Sequence, residues 1–256
     1  KERMLIEKHL RTAMKGNEFF IYYQPQIDMS NGKISGFEAL LRWNNKELGF
    51  VSPVKFIGIA EETHLIVPIG EWVLKNACSF LKQLHKRGYS DLIMAVNVSI
   101  LQLMQEDFVD IVQRTLEAEK IDPKCLELEI TESVMMESYQ AVGDKLKRLK
   151  MIGVKIALDD FGQGYSSLSY LKQLPINTLK IDKSFIDSID SENCNDSITG
   201  TIVMIGLKLG LTVIAEGVEN QEQLEYLKKH KCHKVQGFLF SKPLPEEAAV
   251  NLLANN

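Results

Sequence analysis

Cysteine, proline and tryptophan are scarce in this chain of 256 residues, which holds 4 Cys, 7 Pro and 2 Trp. The cysteines, at positions 78, 125, 194 and 232, are too few and too dispersed for a disulfide framework, and none forms a CxxC pair. They read as the reduced thiols of a cytoplasmic domain. No charge of one sign dominates. With 30 basic against 34 acidic side chains the net charge is −4, which gives no electrostatic footprint for duplex nucleic acid or a membrane surface. A polyanionic substrate therefore needs a local cluster or metal ions to meet it. Long apolar runs are missing too: the most apolar stretch, Ile198 to Ala215, contains Lys208, Gly200, Gly206 and Gly210. It reads as a buried helix running into a strand. The opening KERMLIEKHL has neither an initiator Met nor a signal-peptide core, as expected of a piece cut from a longer protein.

What is present is an alternation of short β-branched or apolar runs with longer amphipathic segments, which argues for βα units around a mostly parallel sheet. Strands are predicted at 19–27, 34–43, 92–99, 125–131, 154–161, 177–182, 211–217 and 233–237. Helices are predicted at 53–62, 67–87, 106–119, 138–151, 166–174, 183–209, 221–229 and 245–253. Eight such units point to an α/β fold of the TIM-type (β/α)8 barrel class. One connection departs from that pattern. Only the polar turn 29–33 separates the first two runs, whereas a parallel crossover needs a dozen residues or more. The expected fold is therefore a modified barrel with an antiparallel first strand. No linker or repeat interrupts the chain, so residues 1–256 are expected to form a single domain.

Polar residues stand toward the C-terminal ends of these runs, where barrel active sites are assembled. They are Glu38, Asn97, Glu129, Asp159, Asp160, Lys180, Glu216 and Gln236. Singly, each is as well read as a solvated surface group, and Asp-Asp before Phe-Gly-Gln-Gly as a turn into a helix. Jointly, the coincidence is informative. Five converging carboxylates against one ammonium would repel one another by about 4 kcal/mol per close pair at an effective dielectric near 20. Two divalent ions would neutralise them. All-oxygen ligands select hard cations such as Mg²⁺ or Mn²⁺, and paired hard cations suit phosphoester hydrolysis. Glu127, two residues before Glu129, is expected to pair with Lys155 at the barrel floor.

The runs FEALLRW (37–43), NVS (97–99), LELEITES (126–133), LDDFGQGYSSLSYL (158–171), LKIDKSFI (179–186), VIAEGVEN (213–220) and VQGFLFSKPLP (235–245) resemble the EAL-domain family of cyclic di-GMP phosphodiesterases, enzymes of bacterial signalling. The resemblance covers nearly the whole chain. It implies that Glu38, Asn97, Glu129, Asp159, Asp160 and Glu216 are metal ligands, with Asp159 shared between two Mg²⁺ or Mn²⁺ ions and Ca²⁺ inhibitory. It makes Lys180, together with Glu38 and Gln236, the catalytic set, Lys180 holding the hydrolytic water as base or electrostatic anchor. Gln24, Leu40, Arg42 and Asp182 become substrate contacts. Glu132 becomes a brace for the loop containing Phe161, Gly162, Gln163 and Gly164, which links the site to a homodimer interface. Regulatory or sensory domains would complete the full-length protein, which could itself be membrane-anchored although this domain makes no membrane contact. Two departures stand out: Gln163 replaces the usual threonine, and Asn44-Asn45 replace His-Pro.

Other signals are weaker. Gly162-x-Gly164 lacks the remaining features of a dinucleotide fingerprint. His230, Cys232 and His233 lack a fourth ligand and read as ordinary surface residues. Met135, Met136, Phe19, Phe20, Tyr22 and Tyr23 read as core filling. Two further functions compete with hydrolysis: a cyclic di-GMP receptor without turnover, and a Schiff-base enzyme built on Lys180.

Overall fold

Strand runs whose alternate residues are polar can be buried only if those residues face a shared interior, and a closed barrel supplies one. The computed structural model describes residues 2–162, 171–189 and 198–256, and within the sixth helix the side chains of 133, 134 and 136–142 lie outside the description. The strands are β1 (Phe19–Asp28), β2 (Ile34–Asn45), β3 (Gly49–Val51), β4 (Ile93–Asn97), β5 (Leu126–Thr131), β6 (Lys155–Phe161), β7 (Thr178–Ile181), β8 (Thr212–Ala215) and β9 (Lys234–Val235). Their order is β1-β9-β8-β7-β6-β5-β4-β2-β3, and a further β1–β2 pairing closes eight of them into a barrel with β3 appended to β2. β1 runs antiparallel to both its neighbours, while the pairings from β2 through β4 round to β9 are parallel. The modified barrel expected from the short first connection is therefore the fold observed.

The helices are α1 (Glu2–Ala13), α2 (Pro53–Glu62), α3 (Ile66–Lys86), α4 (Ile100–Met104), α5 (Phe108–Glu119), α6 (Glu132–Ile152), α7 (Lys183–Asp187), α8 (Ile198–Lys208), α9 (Gln221–Lys229) and α10 (Glu246–Ala254). α3 shows why they wrap the barrel: Ile69, Val73, Ala77, Phe80, Leu81 and Leu84 recur at helical spacing and all are buried. Under α2, Trp43 is fully buried among Phe19 and Phe56, with ring centroids 6.0 and 5.5 Å away, and its indole N–H donates to Glu18 at 2.9 Å.

Several boundaries differ from expectation. The helix predicted over 183–209 is two helices: α7, capped at its start by the Asp182 carboxylate accepting from Ser184 N at 2.9 Å, ends at Asp187, and α8 spans Ile198–Lys208. Of the helix predicted over 166–174, residues 166–170 lie outside the described residues. α1, α4 and β3 are additional. α4 starts at a reciprocal cap between Ser99 and Gln102, and β3 is formed by a turn in which Asn45 Oδ1 accepts from Glu47 N and Leu48 N, both at 2.9 Å. Within the Asn44-Asn45 departure, Asn45 thus has a structural role in this turn. Glu127 and Lys155 face each other across the β5–β6 ladder, but the carboxylate accepts from the Thr178 hydroxyl, and no Glu127–Lys155 ion pair forms among the described residues. Cys78, Cys125 and Cys232 are free thiols, and Cys194 lies outside the described residues. Met135 is buried in the core. Among the described residues no helix is long and apolar enough to cross a membrane.

Gly237 fixes how the chain turns after β9. A Cβ there would lie 2.1 Å from Val218 O and 2.3 Å from Val218 N, both backbone atoms that cannot swing away. Gly237→Ala is expected to destabilise the fold by about 1–3 kcal/mol, read as a lower urea midpoint at unchanged slope.

Candidate active site

In every parallel strand the residue at the C-terminal end is brought to one mouth of the barrel, so the spacing of polar residues along the sequence becomes a ring in space. The registers place Gln24 opposite Glu38 and Asn97 opposite Glu129, and Thr131 beside Asp159. Glu216 and Gln236 follow β8 and β9, held by Glu216 N to Ile181 O at 3.1 Å and Gln236 N to Ala215 O at 2.9 Å.

Lys180 is the centre of the ring. Its Nζ lies 2.6 Å from Glu216, 2.8 Å from Glu129, 3.2 Å from Asp159 and 3.9 Å from Glu38, with the lysine 0 % exposed. Burial opposes the ammonium, yet Asp159, Glu129, Glu216 and Glu38 outweigh it and hold its pKa well above the ordinary range. Glu38 is fixed from both sides: Asn97 Nδ2 and Gln236 Nε2 each donate to it at 2.6 Å. Burial alone would push its carboxyl up, but the Lys180 charge and those two donors keep it below its usual value. Glu129 is raised well above the ordinary range by burial and the neighbouring Glu38 charge, and burial pushes Glu216 up to about 8. Asp160 is raised by burial and then by Asp159 and Asp182. Asp160 also holds φ at 55°, a strained value for a non-glycine residue, while its N–H donates to Asp159 Oδ1 at 2.9 Å.

The residues expected to contact substrate surround this ring. Gln24 accepts from Gln236 Nε2 at 3.1 Å and donates to Ser241 O at 3.2 Å. Leu40 and Arg42 line a cavity of about 290 Å³ that also reaches Asn97 and Glu129. The Arg42 guanidinium sits 5.7 Å from the Tyr22 ring centroid. Asp182, engaged as the α7 cap, stands close enough to raise Asp160. Glu132 is buried and accepts from Gly162 N at 2.7 Å, beside the buried Phe161. Gly162 has φ of 103°, and a Cβ there would meet the Phe185 ring at 2.4 Å. Gln163 and Gly164 lie outside the described residues.

Sequence reasoning did not single out Glu61, Ser99 and Gln102, which line the same cavity, Ser99 Oγ donating to Glu61 at 2.8 Å. The serine-to-glutamine spacing of a helix cap was the available signal. The His230, Cys232 and His233 group is structural: His233 Nδ1 accepts from Val213 N at 3.0 Å, and the Cys232 thiol faces the carbonyls of Val213 and Lys234 at 3.6 and 3.3 Å.

Does the ring fit a divalent cation? Among the described residues no three acidic, histidine or cysteine groups stand ready-made around a metal position, because the Lys180 ammonium fills the centre. The donor set itself fits. Four carboxylates share one ammonium with Asp160 beside them, all donors are oxygens, and Glu129 Oε1 is buried without a hydrogen-bond partner among the described residues.

A closed barrel with one antiparallel strand and an acidic, lysine-centred mouth defines the class. The chain belongs to the EAL domain family, which matches residues 7–243. It is 41% identical over 246 residues to the bifunctional diguanylate cyclase/cyclic di-GMP phosphodiesterase MucR of Pseudomonas aeruginosa, covering 96% of this chain and 36% of that protein. It is 43% identical over 241 residues to the signaling protein YkoW of Bacillus subtilis, covering 94% of this chain and 30% of that protein. The chain thus spans about a third of the length of these relatives. A solved structure of the Pseudomonas aeruginosa MucR phosphodiesterase in complex with c-di-GMP superposes with a TM-score of 0.90 at 41% identity, covering 96% of this chain and 99% of that one.

The raised Glu216 sets a pH dependence for the metal-free protein. Its carboxyl stays protonated in the folded state up to about 8 but ionises near 4.5 when unfolded, so between these values the native state binds more protons and stability falls as pH rises. In EDTA, wild type is expected to lose stability from pH 5 to pH 8, measured by urea unfolding, with a smaller loss in Glu216→Gln.

Proposed function

We propose that this domain hydrolyses cyclic di-GMP to linear pGpG in a reaction that depends on divalent cations. The observation that carries the reading is the ring itself: Glu38, Glu129, Asp159 and Glu216 around Lys180 at the barrel mouth, opening beside the cavity lined by Leu40 and Arg42. The similarity to a phosphodiesterase solved with c-di-GMP supports the substrate.

Glu38, Asn97, Glu129, Asp159, Asp160 and Glu216 would hold two Mg²⁺ or Mn²⁺ ions, which supply Lewis-acid stabilisation of a phosphoryl group and an acidified water when bound. Ca²⁺, which accepts looser geometry, inhibits. Within the chain, Lys180 donates to the attacking water and orients it for in-line displacement of the ribose oxygen. Its ammonium character fits an anchor and argues against a Schiff base, which needs a neutral amine. Gln236 and Asn97 fix the Glu38 rotamer. Arg42 and Gln24 bind the phosphates and sugar edge, and Asp182 contacts substrate beside Asp160. Glu132, through Gly162, positions the loop that follows Asp160 and couples the site to a homodimer interface. The domain works in the cytoplasm, joined to regulatory or sensory domains in the full-length chain. A receptor without turnover lacks support, because each expected ligand position carries its ligand residue.

Incubated with cyclic di-GMP and Mn²⁺, the protein should yield the linear dinucleotide by chromatography, and EDTA should stop it. Asp159→Ala should lose turnover with its circular dichroism spectrum unchanged; an active variant would remove the two-cation scheme. Lys180→Ala should lower kcat by about 10²–10⁴ with substrate affinity nearly unchanged, separating water activation from binding.

A further inference from the structure

The interior polar ladder continues below the active site to the opposite end of the barrel, where it opens into a second cavity of about 400 Å³. Lys150 from the end of α6, Lys155 from the start of β6 and Lys234 from β9 all line it, with Glu127, Asn177 and Thr178. The cations are poorly compensated. Glu127, the acid lining this cavity, takes the Thr178 hydroxyl, and Lys150 makes only a long contact of 3.5 Å to Ile176 O. Among the described residues the Lys155 and Lys234 ammoniums make no hydrogen bond or close ion pair. Burial, and the Lys155 charge beside it, push the Lys234 ammonium below its ordinary range although Glu127 and Asp28 pull the other way. A concave site that gathers three ammoniums from three elements and leaves two unpaired is short of negative charge.

We propose that this floor cavity is a binding site for a small phosphate-bearing anion, distinct from the catalytic mouth. The Lys155 and Lys234 ammoniums would donate to its oxygens, with Lys150 at the rim and Thr212 and Asn177 Nδ2 at the wall, Asn177 Oδ1 being held by Ile156 N. Two sources share this chemistry, a free inorganic phosphate or pyrophosphate and the phosphate tail of a nucleotide. The lysines and polar groups of the wall select for the phosphate, and Ile93, Ile176, Leu209 and Leu211 form its apolar part.

The test is calorimetric titration of the EDTA-treated domain with inorganic phosphate, pyrophosphate and GTP, at matched ionic strength in chloride. Saturable binding of at least one is expected, and it should weaken about tenfold in Lys155→Gln and again in Lys234→Gln, while Asp159→Asn leaves it unchanged. Glu127→Gln should tighten it. Binding of phosphate or pyrophosphate identifies the free anion as the source, and binding of GTP alone identifies a nucleotide tail. No saturable binding to wild type, or binding lost in Asp159→Asn and kept in the lysine variants, overturns the proposal. Should a glutamine variant unfold, protection of Lys155 and Lys234 from acetylation by pyrophosphate in wild type decides the same point. None of these readouts requires hydrolysis of cyclic di-GMP, so the floor site and the proposed activity fail or stand separately.

Discussion

The Lys180 ammonium and the carboxylates that close on it are the constraint from which the rest follows. A fully buried cation is tolerable only when negative charge and acceptor oxygens surround it, and here carboxyl groups from β2, β5, β6 and the end of β8 supply both. Those acids repel one another in turn, and only a rigid frame can hold them at one mouth. The eight-stranded closure supplies that frame: each strand is pinned by two neighbours, so each side chain enters the ring from a fixed height. The electrostatic excess, visible as Glu129 and Glu216 raised by burial, is stored in the fold and available to cations.

The antiparallel β1 is part of the same design. Reversing one strand brings Gln24 into register with Glu38 and lets Gln236 bridge the two, so the residues on either side of the β1 insertion lock the Glu38 carboxylate. The Tyr23 backbone pairs with Leu244 at 2.7 and 2.9 Å, which draws the segment after β9 across the same edge. Gly237 is the joint that permits it. Strain collects where function is proposed: Asp160 in the left-handed region and Gly162 against Phe185 sit two residues apart, with Glu132 holding the second from below.

Much of this was legible in the sequence, and the failures have physical causes. The short turn between the first two runs implied an antiparallel pair because a crossover cannot be built in five residues. Helix α1 went unread although Ile6, Leu10 and Ala13 lie on one buried face, since charged residues crowd that segment. β3 is three residues long, below what alternation can reveal. The helix expected to run from Lys183 without interruption ends at Asp187, and the Asp182-x-Ser184 cap that starts it is the same for a short helix as for a longer one. The Glu127–Lys155 pairing was right in register and wrong in partner, because the Thr178 hydroxyl of β7, beyond β6, reaches the carboxylate.

By itself the sequence determined which residue types stand at which strand ends, because a period of two and the length of each βα unit fix the face and height of every side chain. From that came the barrel, its reversed strand and the roll of acids. Only the tertiary structure decided who touches whom. Lys180 as the shared counter-ion and Glu38 clasped by Asn97 and Gln236 join positions from 21 to 198 residues apart, and the floor cavity gathers its lysines from α6, β6 and β9. Such contacts depend on barrel closure and side-chain rotamers, which no local pattern encodes.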